Sequence, residues 1–226
     1  MTEELKTVLD RAKKQTVKAA RDIYNFRASF TGEDFKELFI HRAELAMIEH
    51  RTPGKFEIDD NNRDTLNLMF YYTVRTHPEL INPNIGVILT GKFGCGKSIM
   101  MSAFCKVLND LILTDGKIEE VHAIALSEMI KSDGILPWAK KPLLIQDMGM
   151  EEPVVNSYGN KFNPIGNLLA VRAEYGALTF GSTNKKWQSL NDHYSNYVGN
   201  RAKEHVNFIP LKGESRRKDF VNKEAK

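Results

Sequence analysis

Apolar positions recur at helical spacing through the first fifty residues. Leu5, Val8, Leu9 and Ala12, continued by Ala19, Ala20 and Ile23, predict a helix over 3–28. Phe35, Leu38, Phe39, Leu45 and Ile48 supply the apolar side of a second helix, from Glu33 to Glu49. Thr52-Pro53-Gly54 ends it, because proline cannot continue the hydrogen-bond ladder and glycine turns easily. A domain boundary is expected there, separating a small N-terminal helical region, 1–54, from a main domain, 55–226. Past it, Asp59 or Asp60 is placed to cap a helix carrying Leu66, Met69, Phe70 and Val74. Short continuous apolar runs then alternate with helical patterns. They are Gly86–Thr90, Val121–Ala125, Pro142–Gln146, Ala177–Gly181 and Val206–Leu211. Such runs are strands buried on both faces, so the expected class is α/β, a three-layer domain around a central five-stranded parallel sheet.

Composition narrows this picture without redirecting it. The 226 residues suffice for one large domain, or a medium one with an appendage, and 42% hydrophobic with 27% charged residues is ordinary for a soluble globular chain. A net charge of +3 is too small to prove a nucleic-acid partner but permits one where basic residues cluster. Candidate clusters are the N-terminal helix (Lys6, Arg11, Lys13, Lys14, Lys18, Arg21), Lys140-Lys141, Lys185-Lys186 and Arg216-Arg217-Lys218. Cys95 and Cys105 are the only cysteines, which argues against a disulfide scaffold. No apolar run reaches the roughly 18 residues that span a bilayer. The start Met1-Thr2-Glu3-Glu4 is acidic at once. A cytoplasmic location with no membrane contact is expected. The six histidines have no metal-ligand spacing, and no G-x-S-x-G motif points to nucleophilic catalysis.

The chemistry lies in Gly91-Lys92-Phe93-Gly94-Cys95-Gly96-Lys97-Ser98, a full match to G-x-x-x-x-G-K-[ST]. Its glycines let successive backbone N–H groups turn inward on phosphate oxygens. Lys97 reaches the outer phosphates, and the Ser98 hydroxyl is a magnesium ligand. Ile99 continues into a helix running to Leu108, whose positive dipole end faces the phosphates. The motif follows a predicted strand and opens a predicted helix, as its mechanism requires. ATP with Mg2+ is the expected cofactor pair. Cys95 serves as a spacer contributing its N–H, and Cys105 is a buried helix residue.

A phosphate loop needs a carboxylate at the end of a neighbouring strand to hold the metal. Leu143-Leu144-Ile145-Gln146-Asp147-Met148-Gly149-Met150-Glu151 is the candidate. Together with the loop, this segment resembles the AAA+ ATPases of the DnaC/DnaI helicase-loader and IstB transposition-helper group. Phe56, Glu57, Ile58 and Asn62 resemble the group's segment beside the adenine. Leu168 to Arg172, with Glu174 and Tyr175, resemble its helix ending near an arginine. Thr179 to Asn184, with Trp187, resemble its sensor strand, and Gly213-Glu214-Ser215-Arg216-Arg217 resembles its closing Gly-x-Ser-x-Arg. The likeness spans about residues 56 to 217. It implies a P-loop NTPase domain of AAA+ type without a full C-terminal lid.

Residue by residue, the resemblance places the metal-side acid on Gln146, where this chain has a neutral amide, and the water-polarising acid on Asp147. Either Asp147 serves the metal with Glu151 or Glu152 assisting the water, or Asp147 keeps its water role and magnesium is held less tightly. Asn184 would orient the attacking water. Arg201 is placed to reach a neighbour's γ-phosphate, although the second arginine of that pattern is His205 here. Arg217 would contact phosphate in cis. Metal-side residues are thus Ser98, Asp147 and Gln146. The implied function is an ATP-dependent accessory protein of DNA replication, a slow ATPase that uses nucleotide as a switch. It would form homo-oligomers, bind DNA, expected to be single-stranded, and grip a replicative helicase. The alternatives are a transposition helper with a transposase partner, a scaffold that binds nucleotide without hydrolysis, and a P-loop kinase.

Overall fold

The computed structural model describes residues 31–111, 117–157, 160–194 and 204–216. The helix expected over 3–28 lies outside them. The first described helix, α1 (Gly32–Glu49), starts in a capping box: the Thr31 hydroxyl accepts the Asp34 N–H, and Asp34 accepts the Thr31 N–H. Its buried face is Phe35, Phe39, Ala43, Ala46 and Met47. Ile48, expected on that face, is 73% exposed. The helix after the Pro-Gly break, α2, spans Arg63–Val74 and begins at Asn62 rather than at Asp59 or Asp60.

Five strands form one sheet: β1 (Gly86–Thr90), β2 (Glu119–His122), β3 (Leu143–Gln146), β6 (Thr179–Thr183) and β7 (Val206–Pro210), in the order β2-β3-β6-β1-β7. Every pair is parallel. The expected three-layer α/β class is the one observed. Helix α3 (Lys97–Leu111) follows β1, and α4 (Ala123–Asp133) follows β2. Helix α5 (Pro164–Glu174) precedes β6, and α6 (Trp187–His193) follows it. A short antiparallel pair, β4 (Val155–Ser157) and β5 (Asn160–Phe162), stands between β3 and α5 and was not expected from sequence.

Apolar residues on the two sides of the sheet form two cores. Val87, Leu89, Leu144 and Phe180 join α1, α2 and α3 in the larger one. Phe35, Phe39 and Ala43, which precede the boundary expected at residue 54, belong to this core. Ile88, Leu143 and Ile145 join α4, α5 and α6 in the other. Tyr72, Phe104 and Phe180 stack edge-to-face where α2, α3 and β6 meet.

Two strands are displaced from their expected limits. The run Val121–Ala125 was read as a strand, but β2 begins at Glu119 and the chain turns into α4 at Ala123. His122 causes the turn: its Nδ1 accepts the Ile124 N–H at 3.4 Å as a helix cap. β6 begins at Thr179 rather than Ala177, because Gly176 (φ +62°) and Ala177 close α5, the Ala177 N–H bonding the Arg172 carbonyl. The shift carries Ser182 and Thr183 into the strand, both fully buried at its carboxyl end.

Candidate nucleotide site

Because the sheet is parallel, the loops after β1, β3 and β6 emerge at one edge, where open α/β sheets bind ligands. The loop after β1 is the Gly91–Ser98 motif. Gly94 (φ +75°) and Gly96 (φ +104°) occupy the left-handed region, and a Cβ on Gly94 would strike the Ser215 hydroxyl. Lys97 is buried, and its Nζ donates to the Lys92 carbonyl at 2.7 Å, within reach of the Cys95 sulfur at 3.9 Å. A phosphate in the loop would take over those donor protons. Phe93 stands out from the loop, 62% exposed.

A strap from residues 211–216 clasps this loop from behind. Leu211 N–H bonds Thr90 O at 2.7 Å, and Arg216 N–H bonds Gly94 O at 2.9 Å. The Arg216 guanidinium donates to Cys95 O at 3.2 Å through Nε and, through Nη2 alone, to both Asp59 carboxylate oxygens at 2.7 and 2.9 Å. Lys92 pairs with Glu214 beside it. Partial burial pushes the Asp59 carboxyl up, but the Asn61 N–H and Arg216 outweigh it and hold the group below its ordinary value. Sequence reading missed Asp59 and Arg216 as a pair. The Gly-x-Ser-x-Arg spacing pointed one residue on, to Arg217, which lies outside the described residues, as does Arg201.

At the end of β3 the chain turns sharply: Asp147 has φ +55°, fixed by its N–H to Ser182 Oγ at 3.0 Å and by Met148 N–H to Ser182 O at 2.8 Å. Its carboxylate lies 3.2 Å from His122 Nε2. With His122 Nδ1 facing the Ile124 N–H, Nε2 is the ring atom turned toward Asp147. Thr183 Oγ1 donates to Met148 O at 2.7 Å and accepts the Lys185 N–H, while Thr90 Oγ1 bonds Lys185 O, so the loops after β1, β3 and β6 are tied together. Between them, Asn184 Oδ1 is buried and has no hydrogen-bond partner among the described residues. It is an acceptor left over at the carboxyl end of β6.

Glu151 goes elsewhere. Its carboxylate is buried, accepts the Gly149 N–H at 3.0 Å and lies 3.3 Å from His193 Nε2 on α6. Both oxygens are committed to the loop and to α6.

Gln146 is buried, with three contacts. Its Oε1 accepts Ser182 Oγ at 2.6 Å, and its Nε2 donates to Ser98 O at 3.1 Å and to Glu120 Oε1 at 2.8 Å. The amide orientation follows from its neighbours. Ser98 O and the Glu120 carboxylate are both acceptors, so the nitrogen faces them. The side chain therefore turns a donor, not an oxygen, toward the phosphate loop, and does not fit a metal-ligand role. The Ser98 hydroxyl and the Asp147 carboxylate are oxygen donors of the kind magnesium takes. Glu120 was missed because the strand it belongs to was read two residues late.

No family model matches this chain, and no curated protein does. Solved structures do. The structure of DnaI aligns over 70% of this chain and 86% of its own, at TM-score 0.53 and 20% identity. The DnaC helicase loader aligns over 70% and 93%, at TM-score 0.54 and 15% identity. A protein described as a primosome component of Streptococcus pyogenes serotype M3 aligns over 70% and 84%, at TM-score 0.53 and 17% identity. The fold is that of DnaI and the DnaC helicase loader. At these identities the likeness establishes architecture alone, and within it the phosphate loop, Asp147 and Asn184 lie at the carboxyl ends of β1, β3 and β6 respectively.

Proposed function

We propose that this chain is an ATP-binding AAA+ accessory protein of DNA replication, acting on a replicative helicase in the manner the name of the DnaC helicase loader describes. The observation that carries the reading is the glycine-strained loop with buried Lys97, facing Asp147 and the unpartnered Asn184 oxygen across one sheet edge. Backbone N–H groups of 91–98 and the α3 dipole would hold the phosphates. Asp147 and Asn184 would orient a water. Bound magnesium would neutralise phosphate charge, with Ser98 and Asp147 as the oxygen donors toward it. The nucleotide acts as a switch, and hydrolysis is slow, because Gln146 gives no carboxylate at the β3 end and His122 holds Asp147. Glu151 is turned into the α6 contact and would need to swing out to assist. Oligomer formation, a single-stranded DNA partner and a transphosphate role for Arg201 complete the proposal, with Arg217 a cis contact. Helical residues within 1–54 would carry the helicase contact.

Two observations favour a second reading, a nucleotide-binding scaffold without hydrolysis: the same Gln146 orientation and the same His122 contact. A single experiment separates the two. ATP binding and phosphate release are measured with and without single-stranded DNA, for wild type and Lys97→Ala. The switch predicts tight binding and slow release that DNA accelerates, with both lost in Lys97→Ala. Binding without release under every condition would replace the switch by the scaffold.

A further inference from the structure

Glu120 stands in contact with three elements. Its Oε1 accepts from Gln146 Nε2 on β3 at 2.8 Å, and its Oε2 accepts from Ser102 Oγ on α3 at 2.8 Å. His50 Nε2, at the end of α1, lies 3.7 Å from Oε1. Ser102 is four residues past Ser98 and therefore on the same face of α3, one turn further from the phosphates, about 6 Å along the axis. Both carboxylate oxygens thus point into the polar file that ends at Ser98.

Gln146 and Glu120 depend on each other. A carboxylate at 146 would set its oxygen against Glu120 Oε1 and against Ser98 O, where the amide nitrogen now donates to both. The pair carries one negative charge between two strand ends, and β2 bears it.

Resting on the nucleotide reading above, we infer that Glu120 supplies from β2 the second negative charge that Gln146 does not provide beside Asp147, with Gln146 as the neutral link that holds it against the Ser98 turn. The divalent cation accompanying a nucleoside triphosphate is then attracted by Glu120 through space or through its own water shell, and is not ligated by Gln146. Hard dications keep several waters, and a carboxylate one helical turn away acts on them without direct contact. Glu120 is in this sense a positioning residue for the cation.

The test compares the affinity for a fluorescent ATP analogue in magnesium with that in EDTA, and manganese binding to the nucleotide complex by EPR. The isosteric Glu120→Gln keeps an acceptor for Gln146 and a group for Ser102, so a merely structural Glu120 leaves the cation's effect unchanged. The inference predicts that Glu120→Gln loses roughly tenfold of the affinity gained from magnesium, while binding in EDTA stays at the wild-type value. Gln146→Glu alone sets two carboxylates together and lowers the melting temperature. A Glu120→Gln protein with the full wild-type magnesium effect overturns the inference. Wild type that binds no nucleotide in either buffer overturns the functional reading instead.

Discussion

Arg172 is the largest fully buried side chain among the described residues, and no carboxylate pairs with it in any described contact. Its guanidinium donates to Thr179 Oγ1 at 2.9 Å, to Lys141 O at 2.8 Å, to Leu178 O at 2.6 Å and to the Trp138 carbonyl. Burial pushes it down to about 10, so it remains charged at neutral pH. The charge is spread over carbonyl dipoles that close two loops at the amino edge of β3 and β6. The resemblance marked this arginine as the end of a helix, while its geometry makes it the pin of that edge. Arg172→Ala would leave several buried acceptors without donors, for a loss of about 3 kcal/mol. In a chain of this size that lowers the melting temperature by about 10 °C. Arg172→Lys keeps the charge but not the planar fork, and should recover less than half of the loss. Calorimetry of the three proteins checks this, and a variant melting with wild type would show the contacts to be incidental.

At the scale of elements, the strap over the phosphate loop ties two distant segments to one turn. Asp59 comes before α2 and Arg216 after β7, and their contact brackets Gly94 to Gly96. Arg216→Ala should leave the sheet intact and let the loop relax, weakening nucleotide binding roughly tenfold, read by titration against wild type. The pH dependence has a definite sign. Asp59 is held below its ordinary value in the folded protein, so its share of the clasp is complete above the unfolded carboxyl value and is lost as pH falls through the lower folded value. Affinity should therefore fall in acid in wild type, and the part of that fall due to Asp59 should vanish in Asp59→Asn. What sequence could and could not reveal is clearest here. The phosphate loop was legible because its chemistry forces glycine and lysine to fixed spacing, and β1 because buried strands read as unbroken apolar runs. β2 was misplaced because an edge strand tolerates Glu119 and Glu120, and because the apolar residues at 123–125 belong to a helix. The Gly-x-Ser-x-Arg spacing selects Arg217, and nothing in it signals that Arg216 contacts Cys95 and Asp59. The direction of the Gln146 amide depends on Glu120, Ser182 and Ser98, three partners scattered along the chain.

For the whole molecule, the decisive property is whether one copy completes the site of another. The cis groups are in place: Lys97 in the loop, Asp147 and Asn184 on the neighbouring strand ends, Arg216 behind. Each approaches from the sheet edge, and none of them reaches in from outside to neutralise charge on a transferring phosphoryl group. In the proposed oligomer that role would fall to Arg201 of an adjacent copy, which would stabilise charge only in the transition state. Mixing two inactive proteins tests the arrangement. Lys97→Ala cannot hold ATP but still offers Arg201; Arg201→Ala holds ATP but offers no finger. Each alone should release almost no phosphate. In an equal mixture, one contact in four joins a competent loop to a competent arginine, so DNA-stimulated release should return to about a quarter of wild type. Release should rise with protein concentration, because the productive site exists only at the contact. If Arg201 instead acted within its own chain, every molecule in the mixture would lack one essential group and no recovery would occur. Recovery independent of concentration would point to a preformed oligomer whose subunits exchange before assay.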